Sequence, residues 1–447
     1  MLPRIITKLV GWAVAVFYDV ERAGPKVGAG PVLVVANHPN ALVDPLIIFH
    51  TAGRATRPLA KAPLFEQALL GTVLKGLGGL PVYRKQDDPQ LMHLNDRTFD
   101  AAIAALQEGG AVQMYPEGQS HSEPALAPLR TGAARIALLA EDRAGWTLGL
   151  RVQPVGLTYT RKHLFRGTVI AVFGDPIEVG DYQSDYATEE RAAARRLTES
   201  IRDRLEKLTL NFDEESDREL VDVAERLYAR EKGLARPRER AAMAQRLPRM
   251  QRFAEGLRWL RAEDPEALEG LRHSVTRYLR LLTLFGARDG DVPRRYPLTP
   301  VLVYALRQIV MLALVFPAAI AGALVWGAPF LFTRWAAPRF RPELDQIATY
   351  KVSIGIVTFP SWLAAIVAVT WLVAGTTTSL TAAIILPILG LAAVAWRDRQ
   401  ATVREDVRVF FRARRRSQST DRLAELRARL VAEFDDVAER WRVDRTV

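Results

Sequence analysis

The sequence contains no cysteine and only six histidines among its 447 residues. The absence of cysteine excludes a disulfide framework, a thiolate metal site and a cysteine nucleophile. The histidines show none of the spacings that are typical of metal ligands, so we predict that the protein binds no metal. The apolar start of the chain also lacks a small-residue cleavage site, so it does not have the pattern of a removable signal peptide.

Positive charge exceeds negative charge along the chain, with 61 Lys and Arg against 50 Asp and Glu and a formal net charge of +11. Such an excess favours an anionic partner, which is a nucleic acid, an acidic lipid surface or a phosphorylated substrate. In the Arg- and Glu-rich region at residues 184–291, aromatic residues are not interleaved with the basic ones as a stacking platform for nucleic acid requires. The charge alone does not choose among these three partners.

Three long apolar stretches lie in the C-terminal third of the chain, at residues 301–332, 352–374 and 380–396. Each has the length and low charge of a membrane segment, and aromatic residues stand at several of their ends. We predict an integral membrane protein that contacts membrane lipids and binds no nucleic acid. The alternative is a large soluble domain in which these stretches are buried helices.

The charges around these stretches predict their orientation. Lys351, Arg397 and Arg399 flank the second and third stretches, and positive flanks remain in the cytoplasm. We expect the N-terminal domain to face the cytoplasm as well. The first stretch must then turn back within the membrane, and Pro317 or residues 326–329 are the expected positions of the break.

The first 180 residues alternate between strand and helix patterns, which indicates an α/β domain with a mixed sheet flanked by helices. Runs rich in β-branched residues predict strands at 32–36, 80–85, 111–115, 152–159 and 168–173. The predicted regions are an interfacial helix (1–22), the α/β domain (23–183), a helical region (184–298), a transmembrane region (299–397) and a basic cytoplasmic helical tail (398–447). For the first of these, packing of the helix on the α/β core is the alternative to a membrane interface.

The segment at residues 31–45 combines a buried strand with polar residues at its exit. His38 follows the strand, where ligands of open α/β sheets bind. Asp44 follows after five intervening residues, close enough for its carboxylate to reach one imidazole nitrogen. A histidine held in this way can take a proton from a substrate hydroxyl. The alternative is a locally capped histidine and an aspartate that serves as a turn or N-cap residue.

Basic residues and a second polar loop lie after other predicted strands of the domain. Lys61, Arg84 and Lys85 are suited to binding a phosphate, because ammonium and guanidinium groups form charge-assisted hydrogen bonds to its oxygens. The alternative for each is a solvated strand end. The loop that begins with Tyr115, Pro116 and Glu117 follows the strand at 111–115 and leads into a helix near residue 132.

Four segments, NHPNALVD, GLPVYRK, YPEGQSHS and VQPVGLTY, occur in this order and each lies at a predicted strand exit. With apolar stretches behind them, they resemble the four motif blocks of the glycerolipid acyltransferase superfamily. The first motif of that family usually has four residues between His and Asp, whereas five stand here. This spacing and the Pro-Glu-Gly-x-Ser-His block are similar to the membrane-bound glycerol-3-phosphate and dihydroxyacetone-phosphate acyltransferase branch.

The resemblance implies transfer of a fatty acyl group from acyl-CoA or acyl carrier protein, as co-substrate, to glycerol 3-phosphate or dihydroxyacetone phosphate, with no other cofactor. The alternative acceptor is lysophosphatidic acid or another lysophospholipid. The lysophosphatidic acid branch normally has Thr and Arg after Pro-Glu-Gly, and Gln119 and Ser120 stand at those positions. The sequence therefore favours the small phosphorylated acceptor in phospholipid biosynthesis.

The resemblance also assigns roles to individual residues. His38 is the general base and Asp44 orients it, while Pro154 and Val155 shape the acyl-donor side. The residues predicted to bind the acceptor are Lys61, Arg84, Lys85, Glu117, Gly118, Ser120 and Arg130.

Overall fold

The computed structural model of the chain describes residues 11, 13–83, 89–234, 242–284, 289, 298–341, 343–415 and 417–446. The chain forms two compact units, each discontinuous in sequence. The first comprises Met1–Asn211 and Arg334–Ile356, and the second comprises Phe212–Thr333 and Val357–Val447.

The first unit contains a mixed sheet, as predicted. Its described strands are β1 (Tyr18–Ala23), β2 (Val32–Ala36), β3 (Arg57–Lys61), β4 (Leu80–Val82), β5 (Ala111–Met114), β6 (Arg151–Tyr159), β7 (Gly167–Phe173) and β8 (Ile177–Glu178). Their order is β1-β7-β6-β2-β5-β3-β4, and β8 pairs with β6. The strands pair in parallel except that β6 is antiparallel to both β7 and β8.

Helices cover both faces of this sheet. They are α1 (Val43–Thr51), α2 (Ala62–Glu66), α3 (Ala68–Gly76), α4 (Asn95–Gln107), α5 (Gly132–Arg143), α6 (Gln183–Thr188) and α7 (Glu190–Leu208). Strand β2 is buried along its whole length. Val32, Val34 and Ala36 pack into one core, and Leu33 and Val35 pack into the other. Burial on both faces explains why this strand is an unbroken apolar run.

The N-terminal prediction is wrong over residues 18–22, which we expected to continue a helix. Residues 13–17 are helical, but Tyr18–Ala23 form β1 and pair in parallel with β7. Tyr18 is buried while Asp19 is exposed, an alternation that a strand at the edge of a sheet accommodates. Residues 1–10 and 12 of the predicted interfacial helix lie outside the described residues.

The boundary predicted at residue 183 is also wrong, because α7 belongs to the first unit. Leu197, Ile201 and Leu205 stand at intervals of four along α7 and are buried in the same core as β2. This apolar stripe covers the sheet, so the unit ends at Asn211. The predicted transmembrane region is divided in the same way, because its residues 334–356 belong to the first unit.

The second unit is helical. Its described helices are α8 (Glu215–Glu231), α9 (Met243–Glu263), α10 (Pro265–Leu284), α11 (Leu298–Ala336), α12 (Ile347–Arg415) and α13 (Ser417–Thr446), with the C-terminal end of α11 and the start of α12 in the first unit. Leu423, Leu430 and Phe434 of α13 share a core with Leu227 of α8 and Val275 of α10. We predicted separate regions for residues 184–298 and 398–447, but α13 packs in one bundle with α8 and α10.

The apolar stretches form two long helices, and each is long and apolar enough to cross a membrane. Helix α12 is interrupted at Gly375, which has φ +80°, between the second and third predicted stretches. Helix α11 is continuous, so the break expected at Pro317 or at 326–329 is absent from this described helix. A proline removes one backbone hydrogen bond, and apolar helices tolerate this loss where their neighbours compensate.

Most large apolar side chains of these helices face outward. Leu314 is 72% exposed, Leu324 78% and Val373 82%. The inner faces are joined by indole groups: Trp326 Nε1 donates to the Leu386 carbonyl at 2.8 Å, and Trp396 Nε1 donates to the Leu312 carbonyl at 3.0 Å. An outward apolar surface of this size favours a lipid environment.

Candidate active site

His38 lies at the carboxyl end of β2, and α1 returns the chain toward it. Asp44 stands in the first turn of α1, with its side chain fully buried, and its Oδ2 lies 2.8 Å from His38 Nδ1. Ala41 adopts φ +41°, which bends the loop between them. This bend accommodates five residues between His38 and Asp44 and still closes the contact.

Asp44 is held by further donors. The backbone amide of Asn40 donates to Oδ2 at 2.7 Å, and the Tyr159 hydroxyl donates to Oδ1 at 2.7 Å. Burial, and after it the charge of Asp44, raises the pKa of Tyr159 well above its usual value. Tyr159 therefore remains a protonated donor. The ionised carboxylate is satisfied by hydrogen bonds, as burial requires, and it fixes His38 with the proton on Nδ1, so that Nε2 is the basic nitrogen.

Glu117 fixes the backbone of His38. Its Oε1 accepts a hydrogen bond from the His38 amide at 2.7 Å, and its Oε2 accepts one from the Ala127 amide at 2.9 Å. Oε2 also accepts a hydrogen bond from His121 Nε2, and the His121 amide donates to the His38 carbonyl at 3.1 Å. The Tyr115 ring stacks on the imidazole of His38 at 4.1 Å between centroids. The loop after β5 thus holds the loop after β2 in place.

The hydrogen bond to Glu117 raises the pKa of His121 above its usual value. Protonated His121 therefore stabilises the fold. This contribution is complete below the unfolded-state pKa of about 6.5, and it is lost as the pH rises through the higher folded-state pKa.

We expect the thermal unfolding midpoint of the wild type to exceed that of His121→Gln most at pH 6, with a difference that shrinks toward pH 9. Thermal unfolding of the detergent-solubilised protein across this range measures the effect. His93→Gln is the matched control, because His93 is exposed and bonds only locally to the Gln90 carbonyl among its described contacts. A His121→Gln difference that stays constant with pH would contradict the assignment.

Two further residues predicted to bind the acceptor, Gly118 and Arg130, lie in the loop after β5 and contact each other. Gly118 adopts φ +77°, and a Cβ added there would lie 2.8 Å from Arg130 Nε. The Arg130 amide donates to the Pro116 carbonyl at 2.8 Å, and its side chain is exposed. The positive φ therefore favours glycine at 118, and the absence of a Cβ lets the Arg130 guanidinium approach the backbone closely. Glu117 thus bonds the His38 backbone, and Arg130 lies against the next residue, Gly118.

The remaining predicted residues have different surroundings. The hydroxyl of Ser120 donates to Asp345 Oδ2 at 2.5 Å. Pro154 and Val155 lie in β6, are buried, and are in register with Val35 and Ala36 of β2.

Lys61, one of the three cations predicted to bind the phosphate, is exposed at the end of β3. Strand β5 lies between β3 and β2, the strand that leads to His38. Arg84 and Lys85 lie outside the described residues. The roles of these three cations in binding a phosphate stay predictions.

Several residues of the site were not singled out from the sequence. Tyr159 ends the VQPVGLTY segment, and its contact with Asp44 joins the fourth block to the first. Asn37 Nδ2 donates to the Leu157 carbonyl at 3.0 Å, and Asn37 Oδ1 accepts from the Leu157 amide at 2.7 Å. The Lys162 ammonium donates to the Pro39 carbonyl at 3.0 Å. Asn37 and Tyr159 are polar residues inside two of the motif blocks, and this position was the signal in the sequence that could have identified them as site residues.

Two family models match the chain. The model described as Acyltransferase matches residues 18–158. The model described as Glycerol-3-phosphate acyltransferase 2 C-terminal domain matches residues 220–442. The first match contains His38, Asp44, Glu117 and Arg130, and the second contains the long apolar helices.

Curated relatives match parts of the chain. An uncharacterized acyltransferase of Schizosaccharomyces pombe is 23% identical over 407 residues, which cover 70% of this chain and 57% of the relative. Glycerol-3-phosphate O-acyltransferase 2 of Saccharomyces cerevisiae is 33% identical over 135 residues, 30% of this chain and 18% of the relative. Glycerol-3-phosphate O-acyltransferase 1 of the same organism is 25% identical over 266 residues, 56% of this chain and 34% of the relative. The matches thus span less than two thirds of each of these relatives.

Proposed function

Because the chain belongs to the glycerolipid acyltransferase superfamily, in the glycerol-3-phosphate acyltransferase branch, we propose that it transfers a fatty acyl group to the hydroxyl of glycerol 3-phosphate or dihydroxyacetone phosphate in phospholipid biosynthesis. Acyl-CoA or acyl carrier protein is the proposed donor. The observation that carries the proposal is the buried Asp44 carboxylate, which is fully engaged in orienting His38 at a strand exit.

In the proposed reaction, His38 Nε2 accepts the proton of the acceptor hydroxyl as its oxygen attacks the thioester carbonyl. The new carbon–oxygen bond gives a tetrahedral oxyanion, and its collapse breaks the carbon–sulfur bond. The imidazolium then returns its proton to the departing thiolate, so the free base is regenerated. The charge of Asp44 stabilises the imidazolium between these steps.

The acceptor phosphate is proposed to bind Arg130. The Arg130 guanidinium lies against Gly118, and Glu117 of the same loop accepts a hydrogen bond from the backbone amide of His38. A guanidinium binds phosphate oxygens with two parallel hydrogen bonds, which fixes orientation as well as charge. The overall excess of basic residues draws anionic donor and acceptor to the surface, an effect that salt weakens.

We propose that α11 and α12 insert in the membrane and that the α/β unit faces the cytoplasm. Support for insertion comes from the exposed apolar faces of both helices. Support for the orientation comes from Lys351, which donates to the His163 carbonyl at 2.8 Å within the α/β unit, so this positive flank belongs to the unit. Because residues 334–356 and 1–211 belong to the same unit, α11 is proposed to begin and end on the cytoplasmic side rather than to cross once. Trypsin treatment of sealed vesicles with the cytoplasmic face outward tests it, because protection of the α/β unit would contradict the orientation.

The acceptor is tested with the purified, detergent-solubilised full chain. Labelled acyl-CoA, and in parallel acyl carrier protein, is offered with glycerol 3-phosphate, dihydroxyacetone phosphate or lysophosphatidic acid in separate reactions. We expect kcat/KM for one of the small phosphates to exceed that for lysophosphatidic acid at least tenfold. Transfer to lysophosphatidic acid alone would establish the alternative acceptor, and no transfer to any of the three would contradict the proposed function.

A further inference from the structure

Residues 334–356, which run from the end of α11 through the connecting residues to the start of α12, are part of the α/β unit. Ala348 is completely buried and Val352 is 6% exposed, and both pack in the core that contains Val34 and Leu46. Lys351 donates to the His163 carbonyl at 2.8 Å. The segment is therefore a built element of this unit, although it lies more than a hundred residues beyond the last helix of the sheet domain.

Asp345 is the residue of this segment that reaches the loop after β5. It is 4% exposed, and its Oδ2 accepts the Ser120 hydroxyl at 2.5 Å. Burying a carboxylate is costly unless hydrogen bonds replace its water. The Ser120 hydroxyl supplies one of these bonds, so the position of Asp345 and that of Ser120 are mutually fixed.

Ser120 is adjacent to the residue that clamps the catalytic histidine. The next residue, His121, donates its amide to the His38 carbonyl at 3.1 Å and its ring N–H to Glu117. Glu117 accepts the His38 amide at 2.7 Å. A hydrogen bond at Ser120 thus restrains the loop that holds both the carbonyl and the amide of His38.

We propose that Asp345 is a positioning residue for acyl transfer, which acts through the Ser120 hydroxyl to hold residues 115–121 against His38. The inference rests on the proposed function. Loss of the contact lets the loop move, and His38 Nε2 then loses its alignment with the acceptor hydroxyl. A small misplacement of a catalytic group lowers kcat strongly and need not weaken binding.

The test compares Ser120→Ala, Asp345→Ala and the double variant in the full-length, solubilised protein. We expect each single variant to lower kcat about tenfold with KM for both substrates within about twofold of wild type, and the double variant to be no worse than either single variant. Asp345→Asn keeps an acceptor of the same shape and is expected to stay within about threefold of wild type. Glu343→Gln is the matched control, because Glu343 is exposed in the same segment and bonds locally to Gln346.

A second readout does not depend on turnover. Amide hydrogen exchange over residues 116–131 is expected to become faster in Asp345→Ala and to stay unchanged in Glu343→Gln. Multiplicative losses in the double variant, or unchanged exchange together with wild-type kcat in both single variants, would overturn the proposal. A KM for the acceptor that rises in Ser120→Ala and stays at the wild-type value in Asp345→Ala would overturn it as well, because Ser120 would then bind the acceptor directly. If Asp345→Ala fails to fold, Ser120→Ala, which removes one hydroxyl, still decides it. An inactive wild type would instead contradict the proposed function, so the two failures are distinguishable.

Discussion

Replacing His38 with alanine is expected to lower kcat for acyl transfer by about three orders of magnitude, because general base catalysis by a positioned side chain contributes roughly 10²- to 10⁴-fold. The imidazole is 17% exposed, stacks on Tyr115 and bonds Asp44, so its removal deprives the acceptor hydroxyl of its proton acceptor. KM for both substrates should change little. The measurement is steady-state transfer of a labelled acyl group at saturating substrates.

His273→Ala is the matched control, since His273 is exposed on α10 in the other unit, and it is expected to keep wild-type kcat. Thermal unfolding and recovery in the membrane fraction show whether the His38→Ala protein is folded. Turnover by folded His38→Ala within tenfold of wild type would remove His38 from the mechanism.

Asp44→Asn is expected to lower kcat about 10²- to 10³-fold with little change in KM. If the new amide N–H₂ faces His38, it forces the proton onto Nε2 and removes the base. If it faces Tyr159, the tautomer survives, but the negative charge that stabilises the imidazolium is gone. Both orientations reduce the rate, because the wild-type carboxylate accepts from His38, Asn40 and Tyr159 at once.

The same substitution is also expected to destabilise the fold by about 1–3 kcal/mol, since an amide cannot accept all of these buried donors. Asp19→Asn serves as the comparison, because Asp19 is an exposed carboxylate on β1 of the same unit. Thermal unfolding and initial rates are measured on both variants. If folded Asp44→Asn keeps kcat within fivefold of wild type, its charge is not used in the reaction.

Local sequence patterns located much of this site. The apolar β-branched runs before His38 and before Glu117 predicted that both follow strands, and both do. The proximity of Glu117 to His38 follows from the parallel pairing of β2 with β5. A local apolar run is enough to predict a strand, and polar residues that follow a strand lie at the edge of the sheet where ligands bind.

Contacts that depend on long-range register were not predictable in this way. Tyr159 reaches Asp44 only because β6 pairs with β2 in one register, with Ala36 opposite Val155. Asp345 reaches Ser120 across a sequence separation of 225 residues. No local pattern identifies Asp44 as the partner of Tyr159 or Ser120 as the partner of Asp345, because each partner is distant in sequence.

Helical expectations failed where tertiary contacts override local preference. Residues 18–22 follow an apolar run, but the edge of β7 offers them a parallel partner. The charge pattern around the apolar stretches predicted a break in α11 at Pro317 or at residues 326–329, yet the helix passes through Pro317 and Pro329. Indole hydrogen bonds to α12 and close packing at Gly322 against Leu389 hold this helix against its neighbour.

The return of residues 334–356 to the α/β unit also determines when this unit can finish folding. During synthesis the strands are complete long before α11 emerges, so the newly made sheet domain waits with the surface for Ala348 and Val352 uncovered. At about 5–20 residues per second, the delay is on the order of ten seconds. The α/β unit therefore acquires the Asp345–Ser120 contact and the cover over this surface only after α11 has been made, so completion of its fold is linked to synthesis of the first apolar helix.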